Sequence, residues 1–345
     1  MSPLRALGVL GLWAVSACAA EASPADAIAY RDDLQLHPGC TMQGLLYEPS
    51  PLGDFAGAVR TWPFPEGVVE DRSRPVVLLL HGNSDTPSCW ESFPPGEGEP
   101  MLAELLAARG IRALALDFRI DRVDDPTESW ETGNPAMNVD HGWATPLAER
   151  FIETALAVHA DRRFAIVAFS FGATVARDAL RRLHLRRSVS PLDHIDQVIL
   201  ASGANHGVVS YERLCGHNVT MAGKAACQLG SRAHYEPTPF LTALNGPGGS
   251  WETPCADGAH AFGEAACGGH VVAYTTIVMH NIFYDYFKDE FVSEASSRLE
   301  GADNRVTGLG AYDESGYFYA GAFRNTFGSI RSREGLAIIL ERLGG

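Results

Sequence analysis

Residues 164–172 read Phe164-Ala165-Ile166-Val167-Ala168-Phe169-Ser170-Phe171-Gly172, and this stretch decides the fold. Six apolar residues run without alternation from Phe164 to Phe169, as in a strand covered on both faces. From Ala173 to Leu185 the spacing becomes helical. Between the two, Ser170 has a small residue two before it, Ala168, and two after it, Gly172. A strand that turns straight into a helix needs those small residues, because bulk there would strike the neighbouring strand or helix. The turn lifts the serine hydroxyl above the sheet and sets it at a helix N-terminus. A capping serine, worth about 1 kcal/mol, would use the same hydroxyl, so the pentapeptide alone leaves both roles open.

The flanking segments repeat the alternation. Val76-Val77-Leu78-Leu79-Leu80 is a second continuous apolar run. Met101 to Arg109, after Pro100, predicts a helix closed by Gly110, and Ile111 to Leu116 a strand ending at Asp117. Pro146 to His159 predicts a helix with Leu147, Phe151, Ala155 and Val158 on one stripe. Val198 to Leu200 and Val271 to Val278 predict strands, and Glu290 to Leu299 a helix. Leu336, Ile339, Leu340 and Leu343 mark the last helix. Strands alternating with helices give an α/β fold with a doubly wound, mostly parallel sheet and right-handed crossovers. Residues 36–345 are expected to form one domain. From Ser202 to Gly269 the alternation lapses and Gly, Pro and Cys accumulate, which predicts a lid-like insertion over the ligand-binding edge.

His81-Gly82-Asn83 follows directly on the first buried strand. With the Ser170 turn, it makes the chain resemble the α/β-hydrolase superfamily, and within it small bacterial lipases and extracellular polyhydroxyalkanoate depolymerases. The resemblance runs from about Arg74 to the C-terminus. It implies that Ser170 is the nucleophile on its elbow, and that the backbone N–H groups of Asn83 and Phe171 form the oxyanion hole. His81 is expected to hold that loop rather than move protons. Asp289-Glu290-Phe291-Val292, followed by Ser297-Arg298-Leu299-Glu300-Gly301-Ala302, is similar to the segment of those lipases that opens with the catalytic acid. The Ala204-Asn205 pair also fits. By that match Asp289 is the acid, with Asp285 as the alternative; a helix cap would also use Asp289.

The third member departs from the pattern. The fold's order is serine, acid, histidine, with the histidine before the final helix. No histidine follows His280, and the match Thr326-Phe327-Gly328, then Ser332-Arg333-Glu334, puts Thr326 in its place. A threonine hydroxyl is not basic enough to take the serine proton near neutral pH. Three readings stay open: a degenerate hydrolase that still binds an ester-like or apolar ligand, a substitute base in His206 or His280, or a base that is not histidine. Phe169, Phe171, Trp90 and Phe93 are expected to surround the serine with apolar surface, which suits an ester or polyester with an apolar acyl part. Asp117, Asp140 and His141 read as polar loop residues near the site or, more plainly, as solvated turn residues.

Composition sets the outer bounds. The chain has 345 residues, a formal net charge of −15, 46% hydrophobic and 20% charged residues. It is too apolar for disorder, and an acidic chain with no basic cluster is not a nucleic-acid binder. No G-x-G-x-x-G follows a strand and no P-loop is present, so no cofactor is expected. Residues 1–17, with Arg5 before an apolar run, read as a secretory signal, ending in Val15-Ser16-Ala17-Cys18. That ending resembles a bacterial lipobox, which implies lipidation of Cys18, a tether over 19–35, and an outer-membrane or extracellular address. Ordinary cleavage near Ala19-Ala20 is the alternative. The other cysteines are Cys40, Cys89, Cys215, Cys227, Cys255 and Cys267. An even set in an exported chain suggests disulfides. Cys215 with Cys227 and Cys255 with Cys267 bracket short loops, leaving Cys40 with Cys89. No C-x-x-C or H-E-x-x-H spacing occurs, so no metal is expected.

Overall fold

The computed structural model describes residues 59–82, 87–92, 99–117, 144–186, 191–208, 229, 241, 244–245, 273–279, 292–299, 302–307 and 328–344. The strands are β1 (Val59–Thr61), β2 (Val76–Leu80), β3 (Ala113–Leu116), β4 (Phe164–Phe169), β5 (Ile195–Ala201), β6 (Ala273–Met279) and β7 (Asp303–Thr307). The helices are α1 (Leu102–Ala108), α2 (Ala144–Val158), α3 (Phe171–Arg186), α4 (Glu294–Ser297) and α5 (Arg333–Arg342). The strands form one sheet in the order β1-β3-β2-β4-β5-β6-β7. Among the described strands, only β1 runs antiparallel to its neighbour, β3; the other pairings are parallel.

The apolar runs account for this layering. Every residue of β2, β3 and β4 is buried, because the sheet is covered on both faces. Successive side chains point to opposite faces. Leu78, Leu80, Ile166, Ala168, Val198 and Leu200 pack with α2 and α3 on one face. Val77, Leu79, Ala165, Val167, Ile199 and Ala201 pack with α1 and α5 on the other. The chain leaves β2 toward β3 on one side and leaves β4 toward β5 on the other. The carboxyl ends of β2 and β4 therefore flank the crevice where ligands bind in such sheets.

The structure corrects several expected boundaries. β1 and β7 have no counterpart among the expected strands. The helix expected over Glu290–Leu299 is the single turn α4 among the described residues, since Arg298 is already extended, with φ −68° and ψ 148°. Asp117, expected to be solvated, is fully buried. Cys89 is buried as well. Residues 1–17, Cys18, the 19–35 tether, Cys40, Cys215, Cys227, Cys255, Cys267, Asp140 and His141 lie outside the described residues, as does most of the 202–269 insertion.

Candidate active site

β4 ends at Phe169 and α3 begins at Phe171, so Ser170 alone makes the turn. Its φ is +52°, in the left-handed region, where a non-glycine residue costs about 1–2 kcal/mol. Two backbone bonds hold it there. The Ser170 N–H donates to the Ala201 carbonyl at 2.8 Å, and the Ala173 N–H donates to the Ser170 carbonyl at 3.0 Å. The residue is 7% exposed, buried but not sealed. Gly172 is required by a close approach. A Cβ there would collide with the His81 carbonyl oxygen and lie 2.6 Å from that of Leu80. Both are backbone atoms and cannot swing aside, so α3 sits directly against the end of β2. Ala168 is fully buried, as the small-residue requirement predicts.

Gly82 brings the second motif to the serine. A Cβ on it would stand 3.1 Å from the Phe169 ring and 3.4 Å from the Ser170 Cβ. His81, fully buried, donates from Nδ1 to the Gly82 carbonyl at 2.8 Å. Its Nε2 lies 3.5 Å from Oδ1 of Asp117, which comes directly after β3 and has no exposure either. Of the two expected oxyanion donors, Asn83 lies outside the described residues. Phe171 is the first residue of α3.

The expected apolar surround is partly corrected. Phe169 and Trp90 meet edge to face, with centroids 6.4 Å apart and planes at 79°. Each is 1% exposed, so they belong to the core on the α1 and α5 face and brace the elbow from behind. Phe93 lies outside the described residues.

His206, an expected substitute base, is committed elsewhere. Its Nε2 donates to the Arg298 carbonyl at 3.0 Å, and Nδ1 faces the Asn245 amide nitrogen at 3.5 Å. It belongs to a buried polar network. Arg177 of α3 donates to the Oδ1 atoms of Asn205, at 3.3 Å, and Asn245, at 2.7 Å. The Asn205 amide donates to the Ser297 carbonyl at 2.8 Å, and the Asn245 amide to the Asn205 carbonyl at 2.7 Å. Ser296 Oγ donates to the Gly207 carbonyl at 2.5 Å. The network ties α3, the loop after β5 and α4 together. Asp289, Asp285 and His280 lie outside the described residues, and Val292, three residues past Asp289, is buried.

Ser202, directly after β5, is also left-handed, with φ +47°. Its N–H donates to the Ile277 carbonyl at 2.6 Å, and its Oγ donates to Ser329 Oγ at 2.9 Å. This hydroxyl pair fixes the approach to α5 beside the strand that accepts the Ser170 N–H. Thr326 lies outside the described residues. Sequence reasoning did not single out Arg177, Asn245, Ser202 or Ser329. All four are distant from their partners along the chain, and no local pattern announces them. Among the described residues, no group of three or more His, Cys, Asp or Glu side chains could hold a metal ion.

Several solved structures are similar to this chain. The mature lipase BlEst2 of Bacillus licheniformis is 18% identical, with 83% of this chain and 98% of that one covered and a TM-score of 0.48. Aspergillus fumigatus lipase B is 17% identical over 79% of this chain and 52% of that one, with a TM-score of 0.43. A soluble variant of the Saccharomyces cerevisiae monoglyceride lipase is 12% identical over 91% of this chain and 96% of that one, with a TM-score of 0.44. No curated protein matches the chain. The model of the alpha/beta hydrolase family matches residues 77–306, a span that runs from β2 through the Ser170 elbow into β7. With the elbow, the sheet order and that match in agreement, the chain belongs to the alpha/beta hydrolase family.

Proposed function

We propose that the site is that of a carboxylic-ester hydrolase of the lipase and esterase type, whose substrate is an ester or polyester with an apolar acyl part. The observation that carries this is Ser170 at φ +52°, alone between β4 and α3 with the Gly82 main chain against it. Ser170 Oγ attacks the ester carbonyl carbon, and its proton passes to a base. The oxyanion is held by the Asn83 and Phe171 N–H groups. The tetrahedral centre collapses with loss of the alcohol, which takes up that proton, and water then hydrolyses the acyl-serine. Asp289 is the acid position and Thr326 the base position.

Thr326 limits the rate. Without an imidazole such a site forfeits roughly 10⁴- to 10⁶-fold in kcat and keeps roughly 10³- to 10⁴-fold over water. A second reading follows from the same residue: a catalytically silent surface lipoprotein that binds an apolar ligand or partner. The bonding of His81 and His206 favours it, since both rings are engaged with loop partners. Export, and a lipid on Cys18, belong to both readings. The experiment is hydrolysis of a short nitrophenyl ester by the mature domain, beside Ser170→Ala and Thr326→His. Turnover that rises with Thr326→His and vanishes with Ser170→Ala supports the ester-hydrolase site. Absence of turnover from every form, each of them folded, overturns it.

A further inference from the structure

Asn245 is followed in the chain by Gly246, and no other asparagine of this protein precedes a glycine. An asparagine in that position is disposed to lose its amide without any enzyme. The backbone nitrogen that follows it attacks the side-chain carbonyl carbon, and a glycine has no Cβ to obstruct the approach. A bond forms from the Gly246 nitrogen to Asn245 Cγ. The bond from Cγ to Nδ2 breaks, and Nδ2 leaves as ammonia with the proton of the attacking nitrogen. Water then opens the succinimide ring to aspartate or isoaspartate. In the folded chain Asn245 is held away from this course. Its side chain is out of solvent, at 1% exposure. Its Oδ1 accepts from Arg177 Nη2 at 2.7 Å, and its Nδ2 donates to the Asn205 carbonyl at 2.7 Å. Both ends of the amide are thus bound to distant parts of the chain, α3 and the loop after β5. Cγ cannot swing to its own backbone without giving up both bonds.

We infer that Asn245 is a latent site of spontaneous deamidation, kept closed by the hydrogen bonds of its amide to Arg177 and to the Asn205 carbonyl. Local opening of those bonds admits the reaction. Neither product has an amide to donate to the Asn205 carbonyl, so a chain that has reacted does not regain the bond it opened. Asn245 reacts without Ser170, and its fate is independent of the ester-hydrolase reading.

The test incubates the full mature chain in weakly alkaline buffer, folded and unfolded in guanidinium chloride. Peptide mapping by mass spectrometry, with isoaspartate detection, follows conversion at Asn245. The folded chain is expected to convert at least roughly 10²-fold more slowly than the unfolded one. Arg177→Met removes the partner of Oδ1 and should speed conversion in the folded chain roughly 10- to 100-fold. A further comparison separates local from global opening. The unmodified chain, brought by guanidinium chloride to the global stability of the variant, should still convert more slowly than the variant. Three results overturn the assignment. One is conversion in the folded chain as fast as in the unfolded one. Another is a folded Arg177→Met that converts no faster than the unmodified chain. The third is equal conversion at matched stability, which would mean that unfolding of the whole chain admits the reaction. If Arg177→Met does not fold, Arg177→Lys decides by the same comparisons. It keeps the charge, but one ammonium lacks the fork that reaches the Asn205 and Asn245 oxygens together.

Discussion

Asp178 of α3 is expected to contribute stability that is lost as pH rises through the weakly acidic range. Its side chain has no exposure, and it accepts from Arg181 Nε at 2.8 Å and from Arg182 Nε at 3.0 Å. Arg182 also reaches Glu149 of α2, at 3.4 Å. Burial pushes the carboxyl from 3.8 up to about 6, outweighing the pull of Arg181 and Arg177. Between those values the folded chain binds this proton more tightly than the unfolded chain does, so stability drops with rising pH. Below the lower value both states are protonated and the preference is fully present; above the upper one it is lost. About two pH units at about 1.4 kcal/mol each make the swing roughly 3 kcal/mol. Asp178→Asn removes the titration at nearly constant volume. Urea unfolding of both proteins from about pH 4 to about pH 7 should show the stability difference moving by roughly 3 kcal/mol in favour of the variant. Glu70 acts in the opposite sense. Its hydrogen bond from Arg112 lowers it to about 2, so it stabilises above its ordinary 4.5 and that contribution fades as pH falls toward 2. It is common to both proteins and cancels in the difference. A flat difference, or one moving toward the unmodified chain, refutes the reasoning.

Four further outcomes are expected. Gly172→Ala forces α3 off the end of β2 and should cost about 1–3 kcal/mol in thermal unfolding, together with any ester hydrolysis. Arg177→Met strands the Asn205 and Asn245 oxygens, and chemical denaturation should show a loss of about 3 kcal/mol. Ser332 accepts from the Gly335 N–H at 3.0 Å as the cap of α5, so Ser332→Ala should cost about 1 kcal/mol by the same measurement. Cys18→Ala should move the chain from the membrane fraction to the soluble fraction of the expressing bacterium; equal partition in both forms counts against a lipid there.

The central strands were legible because burial on both faces writes a continuous apolar run. Val76–Leu80 and Phe164–Phe169 match their expected bounds residue for residue. The next strand begins two residues later than expected, since the Ile111 N–H still bonds the Leu106 carbonyl of α1. β7 was not legible: Asp303-Asn304-Arg305-Val306-Thr307 is a half-covered, mostly polar strand with no run to mark it. β1 is three residues long and was missed for the same want of pattern. The helix expected over Glu290–Leu299 fails in part because Asn304 takes both the N–H and the carbonyl of Leu299. In the site, the Ser170 turn and Gly82 could be read locally, since each is a short-range steric demand. The burial of Asp117 could not. It depends on His81, 36 positions earlier, arriving at the end of the adjacent strand.

The two outer strands of the sheet have a further consequence. A strand at a sheet edge offers unpaired N–H and C=O groups to any chain in extended form, and exposed flat edges seed aggregation. Among the described strands, one margin is β1, only three residues long, with Arg60 at its middle bound to Glu91 at 2.9 Å. The other is β7, where Asp303 bonds Arg342 and Arg305, and Arg305 also lies 3.7 Å from Glu341. A foreign strand adding to β7 would have to settle against charges already held by the last helix. Among the described strands, one margin is guarded by brevity and the other by paired charge, and both shield the hydrophobic middle of the sheet.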